Sequence, residues 1–245
     1  MMSPVMDDVL SVPVVSWSDT DAPGRQARSL RTRHALLLAA AEEITRCGYH
    51  AASLRGILDA AEVTKGALYF HFDSKEDLAR GVVGEMFGSW NDVAAAIRLR
   101  PLDPLWMLLL ETDAATARRM HDPVVRGGSR IIADTGMFEA LRSAWADAWI
   151  EDTTRSLTDA RGAGLLRAPV QPGHMARSLV ALLTGHFHLA ASTPAFGDYR
   201  ARVNDMWEGV LPVIAVEDWT AGWERSPWHF RPAPDPEAYR RARRP

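Results

Sequence analysis

An all-α fold is expected from this chain of 245 residues, on three observations. No stretch alternates apolar and polar residues over a useful strand length, whereas several long runs repeat apolar residues at helical spacing. Proline and glycine punctuate those runs where helices would start and stop. The stretch Thr64 to Leu78, TKGALYFHFDSKEDL, contains two helix starts in quick succession. Thr64 and Ser74 each offer the short side-chain oxygen that satisfies the orphan N–H groups of a first turn. Ser74 has Asp77 three residues on, a relative of the capping box. Between them lies a helix of barely two turns. Leu68 and Phe72, four apart, share its buried face and leave Thr64, Lys65, Gly66, Tyr69 and His71 mainly on the others.

Composition sets the bounds. The chain is 47% hydrophobic and 24% charged, with a formal net charge of −3 and a pI near 6.2. That excludes a uniformly basic nucleic-acid coat but leaves room for a local basic patch. Cys47 is the single cysteine, so no intrachain disulfide can form and a reducing cytoplasm is the expected setting. No run of about 18 apolar residues suggests a membrane span. Asp7 and Asp8 stand where a secretory signal would carry positive charge.

Taken in order, residues 1–24 hold four acidic residues and no basic one, with Pro4, Pro13, Pro23 and Gly24, and read as a flexible arm. Arg25, Arg28, Arg31 and Arg33 then lead into LLLAAAEEITRCGY, a strong helix former with Gly48 as its stop and Arg46 near its end. Ser53 caps a second helix in which Leu54, Ile57, Leu58 and Ala61 keep helical spacing. After a break at Glu62 and Val63 come the short Thr64 helix and a long helix from Ser74 to Arg100. Residues 25–80 therefore read as a helix-turn-helix DNA-binding domain. Residues 81–216 read as a helical ligand-binding and dimerisation domain. Its runs are broken by Pro101, Pro104, Pro123, Gly162, Gly164 and Pro172. Residues 217–245 form an extension with Trp219, Trp223, Trp228, several prolines and a terminal RRARR. It reads as an irregular cap or as added non-specific DNA affinity, with its last ten residues expected to be disordered.

Phosphate neutralisation supplies most protein–DNA affinity, and base-edge contacts supply sequence choice. Lys75 sits where free backbone N–H groups and positive charge could both face a phosphate. Lys65 is the candidate for guanine O6 and N7. Gly66 and Ala67 allow close backbone approach, Phe70 suits a thymine methyl, and His71 can contact phosphate. Ser53, Arg55, Thr64, Arg28 and Arg31 flank the groove. Each side chain taken singly has a plain alternative as a solvated or core group. One short helix reads few bases, so a homodimer on a palindromic double-stranded operator is expected, with reading helices about 34–36 Å apart. In the larger half, Trp90, Trp106, Trp145, Trp149 and Phe187, with Met86, Phe87, Met107 and Met120, suffice to line a cavity or simply to fill a core. Trp145 and Trp149 share a helix face. Arg130, Thr184 and His186 are candidate polar ligand contacts, and Leu179, Leu182, Leu183, Val203, Trp207, Val210 and Leu211 a candidate dimer surface.

The order Thr64, Gly66, Leu68, Tyr69, His71, Phe72, Ser74, Lys75, Leu78, after a Gly48-Tyr49 helix end, resembles the DNA-binding domain of TetR-family repressors. The wording TKGALYFHF followed by SKEDLA is similar to the γ-butyrolactone, butenolide and furan autoregulator receptors of antibiotic-producing actinomycetes. Pro123, Val124, Gly128 and Arg130 resemble that branch's Pro-Val…Ala-Gly-x-Arg-Leu segment, with Gly127 in place of alanine and Ile131 in place of leucine. The resemblance implies a phosphate contact for Tyr69 and a platform for a small lactone or furan ring at Trp149. It further implies a repressor that binds its operator as a dimer, is released by a small-molecule autoregulator and controls antibiotic-production genes. A pseudo-receptor for an antibiotic, or a ligand-blind regulator with a filled cavity, are the alternatives. No enzyme, cofactor or metal is expected. His186 and His188 project about 200° apart on a helix, the Gly162-Ala163-Gly164 turn lacks a third glycine, and no nucleophile-elbow motif occurs.

Overall fold

The computed structural model describes residues 24–191 and 199–243. Of the expected N-terminal arm, only Gly24 falls within them. Among the described residues the regular structure is helical, apart from one isolated antiparallel bridge between Leu166 and Ala215. The helices are α1 (Arg25–Cys47), α2 (Leu54–Ala61), α3 (Lys65–His71), α4 (Lys75–Arg98), α5 (Pro104–His121) and α6 (Pro123–Asp134). They continue with α7 (Glu139–Gly162), α8 (Pro172–Ala191), α9 (Tyr199–Ile214), α10 (Glu217–Glu224) and α11 (Pro236–Ala242). Single 3-10 turns occupy Gly136–Phe138 and Pro227–Phe230. The chain divides into two compact units: a helix-turn-helix unit of residues 24–95, 118–139 and 235–243, and a second unit of residues 96–117, 140–191 and 199–234.

The helix-turn-helix unit starts with the alanine-rich α1, which ends at Gly48, where φ is 83° and the N–H reaches the Ile44 carbonyl. A side chain there would be strained by backbone geometry alone, and Asp134 Oδ2 already lies 2.9 Å from where a Cβ would stand. Ser53 Oγ accepts from Gly56 N at 3.0 Å to begin α2, and Thr64 Oγ1 accepts from Ala67 N at 3.2 Å to begin α3. Ser74 Oγ accepts from Asp77 N at 3.0 Å, while the Asp77 carboxylate accepts from Asp73 N at 3.2 Å. The capping pair thus closes one residue earlier than in the usual box. One apolar core joins Leu36, Leu37, Ala40 and Ile44 of α1 to Ile57, Leu68, Phe72, Leu78 and Val82, and to Val124 and Ile131 of α6. Burying each such side chain contributes about 1.5–3 kcal/mol. Helix α6 packs tightly against α1: a Cβ on Gly127 would lie 2.5 Å from Ala41 Cα. That contact is the physical reason glycine stands at 127, where the resembled branch has alanine.

Residues 236–243 correct the sequence expectation. They are ordered as α11, capped by the Asp235 carboxylate on Glu237 N at 2.9 Å and opened by Pro236. Tyr239 and Ala242 are buried, and Arg243 is 2% exposed. A basic tail becomes ordered here because its arginine finds a buried carboxylate, Asp122.

In the second unit, Asp103 caps α5 by accepting from Leu105 N and Trp106 N, each at 3.0 Å, and its other oxygen accepts from Trp219 Nε1 at 2.9 Å. Trp106 packs against Trp219 and Trp228, with ring centroids 5.5 and 5.9 Å apart. Asp113, 3% exposed, accepts paired bonds from Arg200 and Arg231 at 2.8–2.9 Å. The expected dimer surface is also corrected. Leu179, Leu183, Val203, Trp207 and Leu211 are buried within the single chain, because α8 and α9 turn these residues inward. The large apolar residues that these two helices expose are Leu182, Leu189 and Val213.

Candidate nucleic-acid interface

Helix α3 is short because its signals are close together: Thr64 begins it, and Phe72, extended at φ −143° and ψ 123°, ends it. Leu68 and Phe72 face the core at 0% and 4% exposure, as their spacing predicts. The opposite face is open. Phe70 is 78% exposed and Tyr69 47%, and Lys65 and Gly66 lie beside them on the surface. Lys65 Nζ lies 5.7 Å from the Tyr69 ring centroid, which steadies a side chain that otherwise swings freely. A methyl group on Gly66 would meet nothing nearer than Thr64 Oγ1 at 3.9 Å. A large bare aromatic beside a lysine and a glycine has no folding purpose; it fits a partner surface.

The flanking groups divide into free and anchored ones. Arg28, Arg31 and Arg55 are exposed, Arg55 having only a 3.9 Å pairing with Asp59. Ser53 and Thr64 use their hydroxyls as caps, and Ala67 is half-buried behind them. Lys75 is steadied at the start of α4: its Nζ donates to the His50 carbonyl at 3.3 Å and lies 4.7 Å from the Tyr49 ring centroid. Burial lowers the His71 imidazole below its usual value, with Arg33 adding to the effect. At neutral pH it therefore brings an N–H rather than a charge. Sequence reasoning missed His50, exposed and joined to Lys75 through its carbonyl. The turn around it carries no motif; the long-range bond from His50 Nε2 to the Asp134 carbonyl at 3.2 Å, the Lys75 bond to its carbonyl and an edge contact with the Tyr49 ring at 5.4 Å hold it in place.

The candidate ligand contacts fall into both units. Met86, Phe87, Trp90, Met120 and Arg130 belong to the helix-turn-helix unit. There Met86 and Phe87 pack on its core, Trp90 lies 5.7 Å from the Arg118 guanidinium, and Arg130 bonds to Asp134 at 2.9 Å. Trp106, Trp145, Trp149, Thr184, His186 and Phe187 belong to the second unit. Trp145 and Trp149 pair at 4.9 Å, both half-buried, and Phe187 meets Tyr199 at 6.0 Å. Among the described residues no group of three His, Cys, Asp or Glu is placed to hold a metal ion, and no helix is long and apolar enough to cross a membrane.

A capped two-turn helix with an open basic and aromatic face, set on the apolar core that joins α1 to α4 and α6, defines a helix-turn-helix protein of the class that reads a DNA groove. The profile of bacterial regulatory proteins of the tetR family matches residues 36–82, which run from α1 into α4. TylP, a TetR regulator from Streptomyces fradiae, is 32% identical over 80% of this chain and 84% of its own, with a TM-score of 0.58. The chain belongs to the TetR family. It is similar to the A-factor receptor protein of Streptomyces griseus, 31% identical over 191 residues and 78% of this chain; the match spans 66% of that relative, just under two thirds of its length. It is also similar to CprB from Streptomyces coelicolor, solved in complex with its biological operator sequence: 27% identity, 80% of this chain, 94% of that one, TM-score 0.67.

Proposed function

We propose that the protein is a cytoplasmic transcriptional repressor. It binds a palindromic operator as a homodimer and is released by a small autoregulator of γ-butyrolactone, butenolide or furan type that governs antibiotic-production genes. The observation that carries this reading is the open Lys65, Tyr69 and Phe70 face of α3. Kinship with an A-factor receptor supports the ligand class, and kinship with an operator-bound regulator supports the DNA. Lys65 reads base edges; Lys75 and Tyr69 meet phosphates, with Arg28, Arg31 and Arg55 at the flanks. The exposed Leu182, Leu189 and Val213 of α8 and α9 supply apolar surface for the second copy. The paired Trp145 and Trp149 form the platform for the ligand ring in the second unit. Ligand acts by binding the DNA-incompetent arrangement more tightly than the competent one; equal affinity would shift nothing.

The test is a titration of the full chain against duplexes from the promoter region of its own gene, with and without synthetic γ-butyrolactones and furans. Lys65→Ala is expected to cost about 1–3 kcal/mol and to relax choice at one base pair, while Lys75→Ala weakens all duplexes alike and reduces the salt slope by about one. Equal losses for both on specific and scrambled DNA would end that division of labour. Trp149→Ala is expected to keep operator binding and lose release by ligand; release at wild-type concentrations would remove Trp149 from the site. One observation favours a ligand-blind regulator instead: Trp106 is engaged by Trp219 and Trp228 rather than left facing a void. Quenching of tryptophan emission by the lactones separates the two.

A further inference from the structure

The turn that follows α1 is tied to α6 through Asp134, and the same turn seats the lysine at the start of α4. All of these groups lie in the helix-turn-helix unit. Gly48, with φ 83°, turns the chain out of α1, so the next N–H, that of Tyr49, loses its place in the helical ladder and needs another acceptor. Asp134 Oδ2 accepts it at 3.0 Å. The same oxygen accepts from Arg130 Nε at 2.9 Å, and the Asp134 carbonyl accepts from His50 Nε2 at 3.2 Å. Glycine at 48 leaves the room for this: a Cβ there would lie 2.9 Å from that carboxylate oxygen.

The turn supports Lys75 in two ways. Its Nζ donates to the His50 carbonyl at 3.3 Å and lies 4.7 Å from the Tyr49 ring centroid. The Tyr49 and His50 rings meet edge to face at 5.4 Å, and Tyr49 packs on the apolar core, which fixes the platform. An ammonium on a flexible four-carbon stem has rotamer freedom to lose when it meets a phosphate. Holding it in place before DNA arrives removes that cost. Asp134 bonds to the turn and the turn bonds to Lys75, so the carboxylate acts on the lysine indirectly.

We propose that Asp134 is a positioning residue for DNA binding: by fixing the turn at Tyr49 and His50, it seats the Lys75 ammonium for a phosphate. Under the repressor reading, on which this role rests, a residue of α6 thereby sets how firmly the start of α4 grips the DNA backbone. Arg130 then serves the DNA side of the protein rather than the ligand. Its guanidinium orients a carboxylate and offsets a negative charge that would otherwise repel phosphate.

Lys65 and Lys75 are the sequence's only lysines, so an amine-acetylating reagent followed by mass spectrometry reads each of them separately. Without DNA or ligand, Asp134→Ala is expected to speed labelling of Lys75 by about threefold or more, the size of one lost hydrogen bond, and to leave Lys65 unchanged. Asp134→Asn keeps an oxygen for Tyr49 N and should label like wild type. An unchanged Lys75 rate, equal acceleration of both lysines, or an asparagine variant that behaves like alanine overturns the seat. With promoter-region and scrambled duplexes, Asp134→Ala is expected to weaken binding by about threefold to tenfold on both, and by less than about twofold in a chain that already carries Lys75→Ala. An undiminished loss in the Lys75→Ala chain overturns the role in DNA binding. A wild-type chain that binds no promoter duplex ends the repressor reading instead, while the labelling of Lys75 still decides the seat. If Asp134→Ala does not fold, Asp134→Ser, whose hydroxyl falls short of Tyr49 N, is read in the same way.

Discussion

The helix-turn-helix segment and the second unit are specified over very different distances along the chain. Residues 53–78 are set by neighbours: Ser53 with Gly56, Thr64 with Ala67, Ser74 with Asp77, and Leu68 with Phe72. In the second unit the decisive ties join residues 87, 116 and 118 positions apart: Asp113 with Arg200, Trp219 with Asp103, and Arg231 with Asp113. A reading head built from local signals keeps its shape while the rest of the protein changes. A unit held by a few long-range ion pairs depends instead on residues far apart in the chain staying together.

The largest effect is expected where those ties converge. Asp113→Ala takes the carboxylate from two arginines, leaving Arg231 the Asn204 and Trp228 oxygens and Arg200 the Pro232 carbonyl, and should cost about 3–5 kcal/mol of unfolding free energy. Urea unfolding followed by tryptophan emission checks this, since Trp106, Trp145, Trp149, Trp207, Trp219, Trp223 and Trp228 all report on the second unit. Acid should act on the same pair. Burial pushes the Asp113 carboxyl up, but the hydrogen bonds and charges of Arg231 and Arg200 outweigh it and hold it below the usual aspartate value. A carboxyl depressed on folding adds stability that is complete above its unfolded value, about 3.9, and is lost as pH falls through the folded one. The midpoint of Asp113→Asn should therefore change less than that of wild type between pH 5 and pH 3, two values about a unit either side of that reference. An equal acid response in both would exclude Asp113 as its source.

Two glycines sharpen the contrast at intermediate size. Alanine at 127 would improve helix propensity by about 1 kcal/mol, yet its Cβ would meet the Ala41 backbone at 2.5 Å. Overpacking against backbone costs about 1–3 kcal/mol and wins, so Gly127→Ala should lower the thermal midpoint. At Gly66 the space is open. Gly66→Ala should leave stability equal or slightly raised while operator affinity falls, because the added methyl meets DNA rather than protein. Thermal melts paired with anisotropy titrations separate the two. Loss of stability at 66, or none at 127, would break the division between local and long-range control.

Legibility in the sequence follows the same division. The caps, the glycine stop after α1 and the buried Leu68 and Phe72 are short-range features, and their residue types state their roles. Nothing local marks Arg243 as buried: RRARR reads as a solvated basic tail until Asp122, 121 positions earlier, is seen to take its charge. Trp207 and Leu211 looked like interface because apolar residues covered much of α9. Spacing identifies an apolar face but not whether a neighbour in the same chain or a second copy covers it. Trp106 was equally ambiguous, and its partners Trp219 and Trp228 come from the extension the sequence left irregular.

The smallest stability effect has the most specific consequence. Thr64→Ala removes the acceptor for Ala67 N, and loss of an N-cap typically costs about 1 kcal/mol. That is too little to unfold the unit, but it falls entirely on the two turns that carry Lys65, Tyr69 and Phe70. A dimer must order two copies of α3, so up to about 2 kcal/mol, or roughly thirtyfold, is subtracted from operator affinity. Thr64→Ser keeps the acceptor and should restore binding. Asp235→Ala makes the control: it removes a helix cap of the same kind from α11 in the same unit, and α11 carries none of the candidate DNA contacts. If the two alanine variants weaken operator binding equally, the cap on α3 acts through general stability of the unit. If Thr64→Ala alone weakens it, with faster amide exchange confined to residues 67–72, local order of α3 sets the affinity.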